Sequence, residues 1–578
     1  MTVADGVPEP AHGGAQAVQA AARHGVDHLF TLSGAHIFPL YDAAVGGVTA
    51  VQSGGTGPMR LIDVRHEQTA VFAAEGIGRL TRTPGFAAVT AGPGVTNVVS
   101  PLTGAYLNNA PLVVIGGRAP AYRWGSGALQ ELDHPPILAS VTKAAWTVRS
   151  VEDIAASVTH AFALAAAARR GPVFLDIPMD TLFSLTARGH QPTAADAGEP
   201  HDAAVDDAGV NEAAISTAAA AISAAHHPVI VLGSDVWQAD AVASARELLA
   251  RTGIPVIANG MGRGVVHPQN PLLVTRARST AFAQADCVIV IGTPLDFRLN
   301  YGAFGPKESP ARVVHLVDDA PSTPDQPVAT DDAPGPLTIR GPLSHSCLML
   351  ADALGSSVRT GATSPWLQWA GLLADEAARV RAADLALLSA DSDPIHPARI
   401  FGELLPRLPE DAVIIGDGGD FVSFAGKYVE PAHPGRWLDP GPFGCLGTGP
   451  GYALAARVAH PSTPVVLLLG DGAAGFSIMD WQTVIRLGGP TVIIIGNNGG
   501  WALEKHPMRM LYGYDVITDL PEVDYAGIFV AMGGAAHTVH RPHDIGPTID
   551  KALAWGSPFL VDVRTDSRAA YPRSTLGI

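Results

Sequence analysis

Two apolar runs, each ending in a glycine cluster, constrain the fold of this 578-residue chain more than any other feature. The run at 465–469 leads into Gly-Asp-Gly at 470–472, and the run at 491–495 leads into Gly-Asn-Asn-Gly-Gly at 496–500. Apolar runs of this length, separated by a helix-length segment, are typical of two parallel strands in a buried sheet. The sequence therefore predicts a strand–helix–strand unit here.

Polar side chains follow both predicted strands. Ligands of such sheets bind in the crevice at the carboxyl ends of the strands, so we expect Asp471 and Asn498 to lie side by side there. Both offer oxygen, which suits Mg²⁺ better than zinc. The glycines allow backbone N–H groups to approach a diphosphate at the start of the following helix, and we expect Gly472 and Ala473 to contact it.

The Gly-Asp-Gly and Asn-Asn pairs at this spacing resemble the thiamine diphosphate motif of the superfamily that includes acetolactate synthase, pyruvate decarboxylase, benzaldehyde lyase and 2-hydroxyacyl-CoA lyase. The resemblance implies that Asp471, Asn498 and the backbone carbonyl of Gly500 hold the Mg²⁺. The alternative is a metal-free pair of turns, because Gly-Asp-Gly is also ordinary turn chemistry.

A second Gly-Asp-Gly, at 416–418, has no Asn-Asn partner at the right distance. We do not expect it to bind metal. Its glycine-rich end is predicted to contact the diphosphate from the other side of the crevice, through Gly419 and Asp420.

Three segments near the amino terminus resemble the pyrimidine-binding domain of the same superfamily: Arg-His-Glu-Gln at 65–68, Gly-Pro-Gly-Val-Thr-Asn at 92–97 and the apolar run at 110–117. The resemblance implies that Glu67 contacts N1′ of the cofactor's aminopyrimidine. Sharing a proton with N1′ favours the imino tautomer, whose nitrogen removes the C2 proton of the thiazolium. The alternative is an exposed glutamate in the first turn of a helix.

Further residues gain roles only through the resemblance. Leu446 matches a bulky residue that bends the cofactor, and the carbonyl of Gly444 is expected to accept the 4′-amino hydrogen. His36 is expected near the reactive carbon, with Gln130 near the substrate and Glu504 facing C2. The alternatives are a core leucine, a solvent-facing loop histidine and a solvated helix start.

The polar loop that contains Gln130 also contains Glu131 and His134, for which function and loop solvation remain equally open. At the carboxyl terminus, three arginines form a basic patch in an otherwise acidic protein, which suggests a phosphate-bearing partner. Relatives that use acyl-CoA fold this segment over the CoA, and the alternative is a frayed tail. The three candidates are Arg564, Arg568 and Arg573.

Composition excludes several other classes of protein. The net charge of −17 argues against a nucleic-acid partner. No uninterrupted apolar run is long enough to span a membrane, and the first residues lack the pattern of a signal peptide, so we expect neither element. The three cysteines are too scattered for a disulfide framework or a metal cluster, so we expect a cytoplasmic enzyme.

We predict an α/β fold of three domains with parallel sheets flanked by helices. The expected boundaries are a pyrimidine-binding domain at 1–185, a linker at 186–207, a middle domain at 208–355, a linker and helix at 356–390, a diphosphate- and Mg²⁺-binding domain at 391–562 and a tail at 563–578, which could cover CoA. Related middle domains bind FAD, ADP or nothing, so ADP stays one option. In relatives the two ends of the cofactor come from different subunits, which implies a homodimer or homotetramer.

The leading functional prediction is a lyase that cleaves 2-hydroxyacyl-CoA to formyl-CoA and an aldehyde or ketone. The sequence most resembles the actinobacterial branch that acts on substrates such as 2-hydroxyisobutyryl-CoA. The alternative is an acetolactate synthase-type carboligase that uses pyruvate. A noncatalytic thiamine diphosphate-binding protein is the third hypothesis, and intact Glu67, Asp471 and Asn498 argue against it.

Overall fold

The computed structural model describes residues 11–47, 52, 57–186, 210–319, 335–358, 366–569 and 571. Contacts divide these residues into two compact units. The first combines 11–186 with Pro440–Pro461 and Ser477–Leu487, and the second contains the other described residues. Within the described ranges, no helix is long and apolar enough to cross a bilayer.

The first unit is built on a six-stranded parallel sheet with the order β2-β1-β3-β4-β6-β5. Its two central strands, β4 and β6, are buried along their whole length, as expected for a sheet covered on both faces. The strands are β1 (His28–Thr31), β2 (Arg60–Asp63), β3 (Gly85–Val89), β4 (Leu112–Arg118), β5 (Ala144–Thr147) and β6 (Pro172–Pro178). The helices are Gly13–Arg23, Phe38–Val45, Glu67–Thr81, Pro93–Thr96, Val99–Leu107, Pro135–Leu138, Ile154–Ala166 and Met179–Phe183.

The helix Gly449–Ala459 packs against the helix Glu67–Thr81 within this unit. Two glycines make the close approach feasible. A Cβ added at Gly76 would lie 2.6 Å from the Cβ of Ala455, and one added at Gly451 would lie 2.6 Å from the Cβ of Phe72. By its contacts, Pro440–Pro461 belongs to the unit formed by the amino-terminal sheet, and the predicted domain boundaries stay predictions.

The second unit contains two more parallel sheets. The first of these has five strands in the order β11-β10-β9-β7-β8. The strands are β7 (Pro228–Leu232), β8 (Val256–Ala258), β9 (Cys287–Ile291), β10 (Arg312–Val317) and β11 (Leu337–Arg340). The helices are Glu212–Ser223, Asp235–Gln238, Val242–Thr252, Arg278–Gln284, Leu343–Val358 and the 22-residue Leu367–Leu388.

The last sheet has six strands in the order β13-β12-β14-β15-β17-β16. They are β12 (Val413–Asp417), β13 (Trp437–Leu438), β14 (Val465–Gly470), β15 (Thr491–Asn497), β16 (Ala535–Val539) and β17 (Phe559–Arg564). The helices of this region that belong to the second unit are Pro397–Leu404, Asp420–Tyr428, Asp471–Phe476, Ala502–Tyr512, Tyr525–Ala531 and Ile545–Ala554, while Trp481–Leu487 belongs to the first. The prediction of an α/β fold with three parallel sheets flanked by helices is confirmed.

Candidate active site

The predicted metal site lies where β14 and β15 end. The two strands pair in parallel with Gly470 opposite Gly496, so the residues that follow them emerge at the same edge of the sheet. Asp471 begins a helix and is only 3% exposed. Burial raises the pKa of its carboxyl group to about 6, although nearby backbone N–H groups, including those of Gly472 and Gly500, oppose the shift.

The loop after β15 is tightly held. The side-chain oxygen of Asn498 accepts a hydrogen bond from the Gly500 amide at 3.1 Å, and the Trp501 amide donates to the Thr518 carbonyl at 2.8 Å. A carboxylate buried as deeply as Asp471 is unfavourable without a neighbouring cation. The oxygen donors of Asp471, Asn498 and the Gly500 carbonyl therefore fit Mg²⁺, and their assignment as ligands remains a prediction.

Three loops of this sheet converge beside the metal site. A Cβ added at Gly472 would lie 2.3 Å from the Trp501 ring, and one added at Gly418, where φ is +107°, would lie 3.1 Å from the Cβ of Ala473. One added at Gly419 would lie 2.9 Å from the side chain of Leu503. Glycine is therefore required at these positions for the three loops of this cradle to pack so closely. Their contact with a diphosphate stays a prediction.

Asp420, the other predicted contact on that side, begins the helix Asp420–Tyr428. Its carboxylate accepts the backbone N–H of Tyr571 at 3.2 Å. This contact ties the last described residue of the chain to the start of a helix beside the cradle.

In the first unit, Glu67 begins the helix Glu67–Thr81 and is 8% exposed. Its Oε2 accepts a hydrogen bond from the side-chain amide of Asn97 at 3.0 Å. The alternative of an exposed first-turn glutamate is therefore wrong for this residue. Its contact with the cofactor remains a prediction.

His36 lies at the ends of β1 and β3 and is 6% exposed, which rules out a solvent-facing loop histidine. Its Nδ1 lies 3.1 Å from the hydroxyl of Thr90. Burial lowers the pKa of His36, and a hydrogen bond to the carbonyl of Leu129 partly offsets that effect. The neighbouring Gln130 has φ +60° and packs beside Gly92, so the structure brings His36 and Gln130 into one cluster.

The glycine-rich segment that contains Gly444 and Leu446 belongs to this unit. Leu446 is half-buried, and Gly444 is exposed with φ +73°. The hydroxyl of Ser477 donates to the carbonyl of Gly447 at 2.8 Å. The same hydroxyl oxygen accepts from the side-chain amide nitrogen of Gln68 at 3.5 Å. Through Ser477, the segment is connected to the residue next to Glu67, and the bending role of Leu446 stays a prediction.

The remaining candidates, Glu504 and the arginines near the carboxyl terminus, differ in their exposure and in the contacts of their side chains. Glu504 is exposed on the helix Ala502–Tyr512. Arg564 is half-buried, donates to the carbonyl of Val523 at 2.9 Å and pairs with Asp562 at 3.2 Å, so it supports the end of β17.

Arg568 is exposed and pairs with Asp566 at 2.9 Å, while Arg573 lies outside the described residues. An exposed ion pair of this kind holds its arginine weakly. Arg568 is therefore better placed than Arg564 to meet a phosphate.

Sequence reasoning missed two residues that form hydrogen bonds to candidate residues of the first unit: Asn97, which contacts Glu67, and Asp176, which contacts His134. Asn97 is the last residue of the 92–97 motif, and its place in that motif could have marked it as a candidate. Asp176 lies in β6 and has no motif around it. His134, for which function and loop solvation were both open, is fully buried and contacts Asp176.

Comparison with known proteins identifies the family to which these sheets and candidate residues belong. Three family models match successive parts of the chain: the N-terminal thiamine pyrophosphate-binding domain at 11–137, the central domain at 215–330 and the C-terminal thiamine pyrophosphate-binding domain at 417–563. A "Probable acetolactate synthase" of Mycobacterium bovis and "Acetolactate synthase large subunit IlvG" of Mycobacterium tuberculosis are each 42% identical over 97% of both chains.

A "2-hydroxyacyl-CoA lyase 2" of Mus musculus is 31% identical over 95% of this chain and 88% of its own, and that of Caenorhabditis elegans is 30% identical over 94% and 87%. The matches extend across all three sheets and the residues that follow the strands of the first and last. The chain therefore belongs to the family of thiamine diphosphate-dependent enzymes.

Proposed function

We propose that this protein is an acetolactate synthase-type carboligase, which joins a two-carbon unit from pyruvate to a second 2-oxo acid with release of carbon dioxide. The similarity of 42% over nearly the whole chain to two mycobacterial proteins of that name carries the proposal. This is the alternative to the lyase that we favoured from the sequence. Bound thiamine diphosphate supplies a thiazolium that acts as an electron sink for making or breaking carbon–carbon bonds.

The residues of the chain have distinct tasks in this proposal. Glu67 exchanges a proton with the aminopyrimidine, and Asn97 orients its carboxylate through the 3.0 Å hydrogen bond. Burial lowers the pKa of His36 and keeps its imidazole neutral over more of the pH range, so it can hold or transfer a proton at the carbonyl oxygen of a 2-oxo acid. Asp471, Asn498 and Gly500 are proposed to hold Mg²⁺ against the diphosphate.

The second candidate is the 2-hydroxyacyl-CoA lyase. It is supported by the relatives of that name, at 30–31% identity, and by the exposed Arg568, which could meet a CoA phosphate. The reaction breaks the bond between C1 and C2 and moves the hydroxyl proton to the formyl carbon. In this proposal His36 would take that proton, and Glu504 would deliver one to the carbon that becomes the formyl carbon.

One assay separates the two candidates. Purified protein with thiamine diphosphate and Mg²⁺ is given pyruvate alone, 2-hydroxyisobutyryl-CoA alone, and a series of straight-chain 2-hydroxyacyl-CoA esters, with products measured by mass spectrometry. Acetolactate without formyl-CoA supports the carboligase. Formyl-CoA without acetolactate refutes it and supports the lyase. The Glu67→Gln variant is the matched control for background chemistry.

The middle sheet has a feature that is typical of nucleotide-binding sheets. Its order changes direction between β7 and β9, where the loops after both strands meet, and the Gly233 amide donates to the Ile291 carbonyl at 2.8 Å. Nucleotides bind at such switch points in many α/β sheets. We propose FAD or ADP as the candidate nucleotides of the middle sheet, and mass spectrometry of the denatured protein distinguishes them.

We also propose that the protein is a cytoplasmic homodimer or homotetramer with its active site between subunits.

A further inference from the structure

A buried pair of side chains, His134 and Asp176, lies behind the loop that precedes Asn97. Both side chains are 0% exposed. Nδ1 of His134 lies 2.8 Å from Oδ1 of Asp176, and Nε2 of His134 accepts a hydrogen bond from the backbone amide of Gly92 at 3.0 Å. The pair thus joins a residue before a short helix (His134), a strand residue (Asp176) and the start of the 92–97 loop.

The partners of His134 determine which of its nitrogens carries the proton. A backbone amide can only donate, so Nε2 must present its lone pair to Gly92. The single proton of the neutral imidazole is therefore on Nδ1, where Asp176 accepts it. A second proton on Nε2 would face the Gly92 amide, and the contact would be lost.

Asp176 is itself held from the other side. Its Oδ2 accepts hydrogen bonds from the guanidinium of Arg118 and from the hydroxyl of Thr147, the latter at 3.2 Å. Arg118 also pairs with Asp133 at 3.0 Å and stacks on Trp124, with its guanidinium carbon 3.6 Å from the ring centroid. With the Gly92 amide on Nε2 and the Asp176 carboxylate on Nδ1, the imidazole has one orientation and one tautomer.

The loop that His134 holds leads directly to Glu67. The carbonyl of Gly92 accepts the amides of Val95 and Thr96, each at 3.0 Å, and this turn carries Asn97. The side chain of Asn97 then donates to Oε2 of Glu67 at 3.0 Å. The contacts form a continuous path from Asp176 through His134 and Gly92 to the carboxylate.

We propose that His134 is a positioning residue: its Nδ1-protonated imidazole, held by Asp176, fixes the 92–97 loop so that Asn97 orients the carboxylate of Glu67. The inference rests on the role proposed for Glu67 in cofactor activation, which both candidate functions share. Gly92 has φ +60°, and a Cβ added there would lie 2.8 Å from the Cβ of Gln130, so the same fixation also keeps Gln130 in place.

The first test measures the loop in the cofactor-free protein. Hydrogen–deuterium exchange followed by mass spectrometry reports on the peptide that contains 92–97. We expect His134→Phe, which keeps the ring volume without hydrogen bonds, to raise exchange in this peptide at least several-fold. His134→Gln offers one donor and one acceptor, and we expect it to retain most of the protection. Equal protection in wild type and His134→Phe would overturn the proposal.

The second test measures cofactor activation directly. Exchange of the C2 proton of bound thiamine diphosphate is followed by acid quench and proton NMR, with no substrate present. We expect His134→Phe to slow this exchange by about tenfold or more, with His134→Gln within a few-fold of wild type. We expect Asn97→Ala to slow exchange similarly and the double variant to add little, because the two residues act through one path.

Several outcomes are decisive. Unchanged C2 exchange in His134→Phe, or effects of His134→Phe and Asn97→Ala that multiply, would overturn the path through Asn97. A lower melting temperature with unchanged C2 exchange would show a role in stability alone. If His134→Phe fails to fold, the His134→Gln and Asn97→Ala variants still decide. Because C2 exchange needs no substrate, a wild-type enzyme that rejects both substrate classes would refute the proposed function and leave this test intact.

Discussion

Replacing Asp471 with asparagine should stabilise the metal-free protein while removing its response to Mg²⁺. Burial raises the pKa of the Asp471 carboxyl group from 3.8 to about 6. Because the folded-state pKa lies above the unfolded one, the folded protein binds the proton more tightly. Protonation therefore favours folding below pH 3.8, and that contribution is lost as pH rises through about 6. Complete loss corresponds to about 3 kcal/mol, at about 1.4 kcal/mol for each pH unit between 3.8 and about 6.

The assay is thermal unfolding of protein stripped of metal and cofactor, at several pH values between 5 and 8. Asparagine has nearly the same shape as aspartate and does not titrate. We expect the melting temperature of Asp471→Asn to exceed that of wild type by up to a few degrees at pH 8, and the difference to shrink below pH 6. Adding Mg²⁺ with thiamine diphosphate should stabilise wild type but not the variant.

Asp417 provides the matched control, since it ends β12 inside the other Gly-Asp-Gly and is also fully buried. We expect Asp417→Asn to keep its stabilisation by Mg²⁺ and thiamine diphosphate. The reasoning is refuted if Asp471→Asn still responds to Mg²⁺ as wild type does. It is also refuted if the metal-free difference between Asp471→Asn and wild type grows as the pH falls.

Three further predictions concern other parts of the chain. Glu67→Gln should slow C2 proton exchange of bound thiamine diphosphate by about 10²–10⁴-fold, measured by quenched NMR, and unchanged exchange would contradict its proposed role. Gly76→Leu should destabilise the protein by about 1–3 kcal/mol in thermal unfolding, because its Cβ would lie 2.6 Å from that of Ala455. For the lyase candidate, Arg568→Ala should raise KM for CoA esters; equal KM values in wild type and variant would exclude a CoA contact. For the carboligase, the same variant should leave pyruvate turnover unchanged.

The sheets were predictable because their signals are local. Long apolar runs that end at glycine determine both the strand and the edge where its ligand groups emerge, and the parallel register of β14 and β15 places Asp471 and Asn498 as expected. The sequence could not predict that Pro440–Pro461 packs with the amino-terminal sheet. That packing depends on glycines such as Gly76 and Gly451, which are far apart in the chain.

Polar side chains in loops were the hardest to interpret from sequence. His134 stands in a polar stretch, and its burial depends on Asp176, 42 residues later. Arg564 was grouped with the tail by its charge, whereas it ends β17 and pairs with the buried Asp562 of the same strand. In both cases the partner that determines the role is distant or belongs to an element whose end the sequence did not mark.

Cofactor activation and the later proton transfers of turnover should be separable by mutation, and His36 is the residue on which to test this. Its imidazole contacts Thr90 and the carbonyl of Leu129, and the described contacts include none with Glu67 or Asn97. We therefore expect His36→Ala to leave C2 proton exchange within a few-fold of wild type while lowering kcat by about 10²-fold or more. Burial lowers the pKa of His36, so the acidic limb of the kcat–pH profile should lie below 6.5, where the imidazole becomes protonated, and should disappear in the variant. A loss of C2 exchange equal to the loss of kcat would place His36 in cofactor activation and refute the separation.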